Sequence, residues 1–116
     1  MVDKRGLNSV VGTITDAGVA FGSAVPTNMR RYIYKIKTAN QFAGPNQLQF
    51  GYKPTGAAVI LDYIEHANQY DMWNDPDEVK EDSAPIYILP AASQPYGIGS
   101  AAGGTIYVYI LYEDSE

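Results

Sequence analysis

The stretch Thr105-Ile106-Tyr107-Val108-Tyr109-Ile110-Leu111-Tyr112 decides the fold class of this chain. Nearly every position is β-branched or aromatic, which is typical of a β-strand. Because successive side chains of a strand point to opposite faces, both faces of this strand are apolar. We therefore expect a second sheet to cover one face and another surface to cover the other.

Two earlier segments alternate between apolar and polar residues, as half-buried strands do. In Gln47–Tyr52 the apolar set is Leu48, Phe50 and Tyr52. In Arg30–Thr38 the predicted buried set is Tyr32, Tyr34 and Ile36. The residues predicted to lie opposite are Arg31, Lys35 and Lys37, with Ile33 as an interruption.

Weaker strand signals flank these segments. Val10–Thr15 and Val19–Ala24 are separated by the turn residues Asp16-Ala17-Gly18. Pro85–Pro90 is a short apolar run between two prolines, which suits the ends of a strand because proline cannot donate a hydrogen bond inside a sheet.

Two segments leave a helix open. Ala57–Ala67 is compatible with a short helix or a long strand, and its β-branched content after Gly56 favours the strand. The acidic stretch Asn68–Ala84 is longer than a usual hairpin loop, and Asp75-Pro76 within it could begin a helical turn.

Many short strands with frequent turn residues predict an all-β fold. The expected architecture is a single antiparallel β-sandwich, jelly-roll-like, or a barrel, with at most one or two short helices. A chain of 116 residues is sufficient for one domain. We expect residues 1–8 to be an N-terminal arm and residues 9–116 to be the β-sandwich domain.

The charges are unevenly distributed along the chain. Seven basic and two acidic residues lie up to Lys53, whereas one basic and eleven acidic residues follow. This asymmetry favours either complementary surfaces between copies or local neutralisation within the fold. The net charge of −5 argues against nucleic-acid binding, since an acidic domain repels phosphate. No apolar run reaches the roughly 20 residues that span a bilayer, so no membrane partner is expected.

No motif of this sequence meets the requirements of a catalytic or cofactor site. Gly97–Ala102 matches the letters of a dinucleotide-binding loop, but a strand follows where a helix is required. His66 is the single histidine and the chain has no cysteine, so a zinc site or a nucleophilic triad has too few members. The acidic residues of Asn68–Ala84 do not have EF-hand spacing. We therefore expect no enzymatic activity, cofactor or metal.

Ten tyrosines exceed what one small core needs, and tyrosine is favoured at interfaces. The basic arm is a second candidate contact region. The candidate interface residues are Lys4, Arg5, Leu7, Trp73, Tyr96, Tyr107 and Tyr109.

The C-terminal third resembles the small β-sandwich proteins that decorate phage and virus capsids, known as decoration or cement proteins. The residues that carry the resemblance are Ala84–Ala91, the small-residue loop Gly97–Gly104 and the strand Thr105–Glu113. The long acidic stretch with Trp73 departs from that pattern. The resemblance implies a β-sandwich, often trimeric, that binds a shell at symmetry points.

The leading functional hypothesis is a structural virion protein that stabilises a shell through contacts between subunits. We expect a homo-oligomer, most simply a homotrimer, that binds a capsid or shell protein and is assembled into virions in the host cytoplasm. The alternative hypothesis is a carbohydrate- or receptor-binding β-sandwich module that uses Trp73 and exposed tyrosines.

Overall fold

A computed structural model describes residues 7–116, and these residues form nine β-strands and no helix. The strands are β1 (Asn8–Ile14), β2 (Val19–Ala20), β3 (Arg30–Asn40), β4 (Asn46–Lys53), β5 (Val59–His66), β6 (Met72–Asp75), β7 (Tyr87–Leu89), β8 (Gln94–Gly99) and β9 (Ile106–Ser115).

The strands form two antiparallel sheets that pack against each other and do not close into a barrel. Sheet I has the order β1-β9-β3-β6, with β7 also pairing with β3, and sheet II has the order β2-β8-β4-β5. With β7 set aside, the first strand pairs with the last, the second with the seventh, the third with the sixth, and the fourth with the fifth. This wrapped order is that of a jelly roll, so the predicted all-β sandwich is confirmed.

The core lies between the two sheets and is apolar. Its fully buried side chains include Ile14, Ile33, Ile36, Leu48, Phe50, Leu89, Ile106, Val108 and Ile110. In β9, Ile106, Val108 and Ile110 face the core and Tyr107 faces outward, so sheet II covers one of its two apolar faces. The inward placement predicted for β4 is also confirmed, with Tyr52 packed at the margin of the core.

The face assignment predicted for β3 is wrong in its first half. The pairing of β3 with β9 shifts between Ile33 and Lys35, where β3 carries one extra residue. Such a bulge moves the alternation by one position. Ile33 and Ile36 are therefore both in the core, and Arg31, expected on the exposed face, is buried.

The ambiguous segments resolve as strands and loops. Ala57–Ala67 contains the strand β5, as its composition favoured, and Pro85–Pro90 contains β7. Asp75 ends β6 and no helical turn follows it. Strand β1 begins at Asn8, one residue inside the segment predicted to be an arm.

Polar side chains also connect the two sheets, and one such pair joins β5 to β3. The Nε2 atom of His66 on β5 and the Oγ1 atom of Thr38 on β3 share a hydrogen bond of 2.8 Å. His66 is 2% exposed, and burial lowers the pKa of its imidazole, although Asp71 and Glu65 act in the opposite direction. His66 is therefore a neutral structural residue at pH 7, because burial disfavours its charged form.

This pair predicts a loss of stability in mild acid. The unfolded chain binds a proton at His66 near its ordinary pKa of about 6.5, whereas the folded chain binds it only at lower pH. The free energy of unfolding should therefore be level between about pH 7 and 8 and fall as the pH drops below 6.5, by at most about 1.4 kcal/mol per pH unit. Urea unfolding between pH 7.5 and 5.5 measures this slope.

The matched control is His66→Gln, which retains a hydrogen-bonding side chain but cannot titrate in this range. Carboxylates common to both proteins contribute equally to both slopes. Equal slopes for the two proteins between pH 7.5 and 5.5 would show that His66 does not titrate differently in the folded and unfolded states.

Candidate docking face

The outward side of sheet I carries apolar side chains from three strands and two lysines from a fourth. We refer to this set as the lysine-flanked face, and it comprises Val11, Lys35, Lys37, Met72, Tyr107, Tyr109 and Leu111. Val11 is 63% exposed, Met72 61% and Tyr107 47%. Apolar side chains exposed to this extent and grouped on one surface often mark an interaction site.

Strand register brings these side chains together. Val11 of β1 lies opposite Tyr109 of β9, and Tyr109 lies opposite Lys37 of β3. Residues directly opposite each other across strands have Cβ atoms about 4.5–5.5 Å apart, so each row forms one continuous contact surface. A second row begins with Tyr107 and continues through Ala39 to Met72 of β6.

The surface is concave at its centre. A depression of about 450 Å³ lies over β1, β9 and β3, and Val11, Tyr107, Tyr109 and Leu111 supply most of its apolar wall. The side chains of Lys35 and Lys37 stand along one side of it. The ammonium group of Lys35 donates a hydrogen bond of 2.8 Å to the carbonyl oxygen of Asp77, whereas Lys37 is exposed. The face therefore combines an apolar centre with a positively charged margin.

The structure brings together only part of the predicted interface set. Tyr107 and Tyr109 lie side by side on the lysine-flanked face. Tyr96 lies on sheet II, where the ammonium of Lys53 is 5.8 Å from its ring centre. Leu7 is half-buried just before β1, and Lys4 and Arg5 lie outside the described residues.

Trp73 is placed differently from the sequence-based expectation. It pairs with the buried Thr38 and packs against the hydrophobic core, so its ring faces the interior of the sandwich. Met72, its neighbour on β6, is the exposed residue. The alternation of β6 therefore assigns the outward position to Met72 and not to Trp73.

The remaining sequence motifs have structural roles. Gly97 and Gly99 lie within β8, and a Cβ atom on Gly97 would be 3.1 Å from Ile14 and Leu48, so Gly97 permits close packing of the sheets. The side-chain oxygen of Asn46 accepts hydrogen bonds of 3.0 Å from the backbone nitrogens of Ser100 and Ala101, which fixes the loop after β8.

The acidic residues do not form a metal site in the part of the chain that is described. No group of three histidine or carboxylate side chains between residues 7 and 116 is placed to hold a metal ion. Within the same residues there is no helix long and apolar enough to cross a membrane.

Comparisons with known proteins found no match. No protein-family model matches the chain, and neither a curated protein nor a solved structure is similar enough to count as a match.

Proposed function

We propose that this protein is a structural component of a virion, of the capsid decoration type, and that it attaches to a protein shell through the lysine-flanked face. The observation that carries the proposal is the exposure of Val11 and Tyr107 on one surface beside two lysines. In this proposal the protein bridges neighbouring shell subunits, and the added buried area slows disassembly.

The composition of the face supports a protein partner. Aromatic residues and methionine are enriched in the buried centre of protein interfaces, where charged residues are depleted. Tyr107 and Tyr109 supply that centre, Lys35 and Lys37 of β3 lie beside it, and Met72 of β6 lies beyond them. Charged residues at the margin of an interface guide association with surfaces of opposite sign, so the partner surface should be apolar with an acidic margin.

The fold is compatible with the proposal but does not distinguish it from the alternative. Jelly rolls occur both in viral capsid proteins and in lectins, and a fold alone does not define a function. The carbohydrate-binding alternative depended on Trp73 and exposed tyrosines as stacking platforms. Trp73 is half-buried against the core, whereas Tyr63 and Tyr70 are exposed outside the lysine-flanked face. We favour the shell-binding function because the exposed apolar side chains are grouped on that face.

The proposal predicts that Tyr107→Ser weakens attachment to empty capsid shells by about tenfold or more, as removal of a central aromatic residue does at many interfaces. Tyr63→Ser is the matched control, because Tyr63 is 60% exposed but lies on β5 of sheet II. Co-sedimentation with purified empty shells measures attachment, and circular dichroism verifies folding. Equal weakening by both variants would contradict the assignment of this face.

The charged margin is tested in the same assay. Lys37→Glu should weaken attachment at low salt and have little effect at high salt, because exposed charges are screened beyond about 8–10 Å at 0.1–0.15 M ionic strength. Lys53→Glu, an exposed position on sheet II, is the control. Sugar binding on a glycan array, together with no attachment to shells, would favour the alternative function.

A further inference from the structure

The free edges of the two sheets differ in how well they are protected against pairing with another strand. Natural proteins protect such edges with short strands, bulges, charges or proline. Strand β2 has two residues, β6 has four and β7 has three, so these edges are short. Strand β5 has eight residues, but it carries a bulge beside Asp62 and the charged Glu65.

Strand β1 has none of these protective features. It is seven residues long, contains no charged residue and no proline, and pairs with β9 without a register shift from Asn8 to Ile14. Its other side has no strand neighbour among the described residues. Ser9, Val11 and Thr13 are exposed. An uncharged, regular edge of this length is a template for one more strand.

We propose that β1 pairs in antiparallel orientation with β1 of a second copy of this chain, around a two-fold axis at Val11. A two-fold contact uses the same surface on both copies and closes after two. It yields a dimer, where the sequence alone suggested a trimer.

The register of this contact follows from the length and the faces of β1. Full overlap of the seven residues places Asn8 opposite Ile14 of the second copy and Val11 opposite its counterpart. Outward residues then meet outward residues, Ser9 with Thr13, and Val10 and Gly12 remain on the core side. A shift by one residue would place outward side chains beside inward ones, which the alternation of a sheet does not permit.

A second copy matches this edge, because its β1 has the same length and the same alternation of outward and core-side residues. Asp16 lies two residues after the end of β1. Antiparallel pairing places the two Asp16 residues at opposite ends of the contact, whereas parallel pairing would place these like charges together.

The contact would also enlarge the lysine-flanked face. Sheet I of one copy would continue into sheet I of the other, with both outer faces on the same side. The two Val11 side chains would then be neighbours at the centre of one surface. The dimer does not depend on a shell, so its formation can be tested separately from the proposed function.

Single cysteine variants test the register directly, because the natural chain contains no cysteine. Opposed residues of antiparallel strands have Cα atoms about 4.5–5.5 Å apart, within the range that a disulfide bridges. Val11→Cys should therefore form a covalent dimer under mild oxidation. Thr13→Cys should not, because the two Thr13 positions are displaced by four residues, about 13 Å along the strands. A mixture of Ser9→Cys and Thr13→Cys should form the mixed dimer.

Sedimentation of the natural protein without any shell completes the test, and we expect a dimer at micromolar concentration. Tyr107→Ser, the variant used for attachment, should remain a dimer because Tyr107 lies on β9. A monomer, a trimer without the Val11→Cys bridge, or equal bridging at Val11 and Thr13 would overturn the pairing. A monomer that still attaches to shells would overturn the pairing alone and leave the proposed function standing.

Discussion

Asp114→Ala should lower the free energy of unfolding by about 3 kcal/mol, the lower end of the usual cost of breaking a buried ion pair, because the side chain of Asp114 is 19% exposed. The carboxylate of Asp114 accepts hydrogen bonds from Nε and one terminal nitrogen of Arg31, at 2.8 and 2.9 Å. Arg31 is 1% exposed, so without Asp114 its charge would stay buried with no counter-charge. The large cost comes from that unpaired charge more than from the lost attraction.

The surroundings of Arg31 cannot replace Asp114. The second terminal nitrogen of Arg31 donates to the carbonyl oxygen of Ser23 at 2.8 Å, and its guanidinium lies 4.1 Å from the ring centre of Tyr112. These contacts orient the guanidinium, but neither supplies a negative charge. Arg31 lies on β3 and Asp114 on β9, in strands that are neighbours in sheet I. The ion pair therefore holds the C-terminal end of β9 against β3.

Two variants separate this explanation from a general effect of charge. Glu116→Ala removes the same charge two residues later at an exposed position, and it should change stability by less than about 0.5 kcal/mol. The double variant Arg31→Met with Asp114→Leu replaces the pair by apolar groups and should recover most of the loss. Urea unfolding measures all three. A loss below about 1 kcal/mol for Asp114→Ala would mean that Arg31 finds another partner or water.

The sequence was sufficient to predict the strands whose burial is regular. Strand β9 is apolar at almost every position, and β4 alternates without interruption, so composition and period identified both. Strand β3 has an equally clear alternation, but its faces were assigned incorrectly because the bulge between Ile33 and Lys35 shifts them. A bulge depends on pairing with a distant strand, which local periodicity does not contain.

The candidate site was predicted only where one strand carries the signal. Tyr107 and Tyr109 were identified from β9 itself. Val11 and Met72 were missed, because each lies in a segment with a weak pattern. Their position on the outward side of sheet I follows only from the residues with which they pair. Trp73 was expected at an interface from composition, and only the register of β6 shows that it packs against the core.

The wrapped order of the strands could likewise not be predicted from local sequence patterns. Every strand pair in the jelly roll except β4 with β5 joins segments that are separated by other strands. Local alternation states which residues are buried but not which strands are neighbours. Both the lysine-flanked face and the free edge of β1 are consequences of that order, so they became visible only in three dimensions.

Gly51→Ala should destabilise the fold by about 3 kcal/mol, at the upper end of the usual cost of overpacking. A Cβ atom at Gly51 would overlap the carbonyl oxygen of Val59 and lie 2.9 Å from the Cα atom of Ile60. Both are backbone atoms of β5, so no side-chain rotation relieves the overlap. The site coincides with the register shift between β4 and β5, where the extra residue brings the backbone of β5 over Gly51.

Gly56→Ala is the matched control for Gly51→Ala, since it makes the same chemical change five residues later. A Cβ atom at Gly56 would have no heavy atom within 4 Å. Restricting the unfolded chain should leave this variant neutral or up to about 1 kcal/mol more stable. Urea unfolding midpoints of the two variants should therefore move apart, that of Gly51→Ala downward. If both stay within about 0.5 kcal/mol of the natural protein, β5 yields at its bulge, and the close approach of the two backbones is not what requires glycine at position 51.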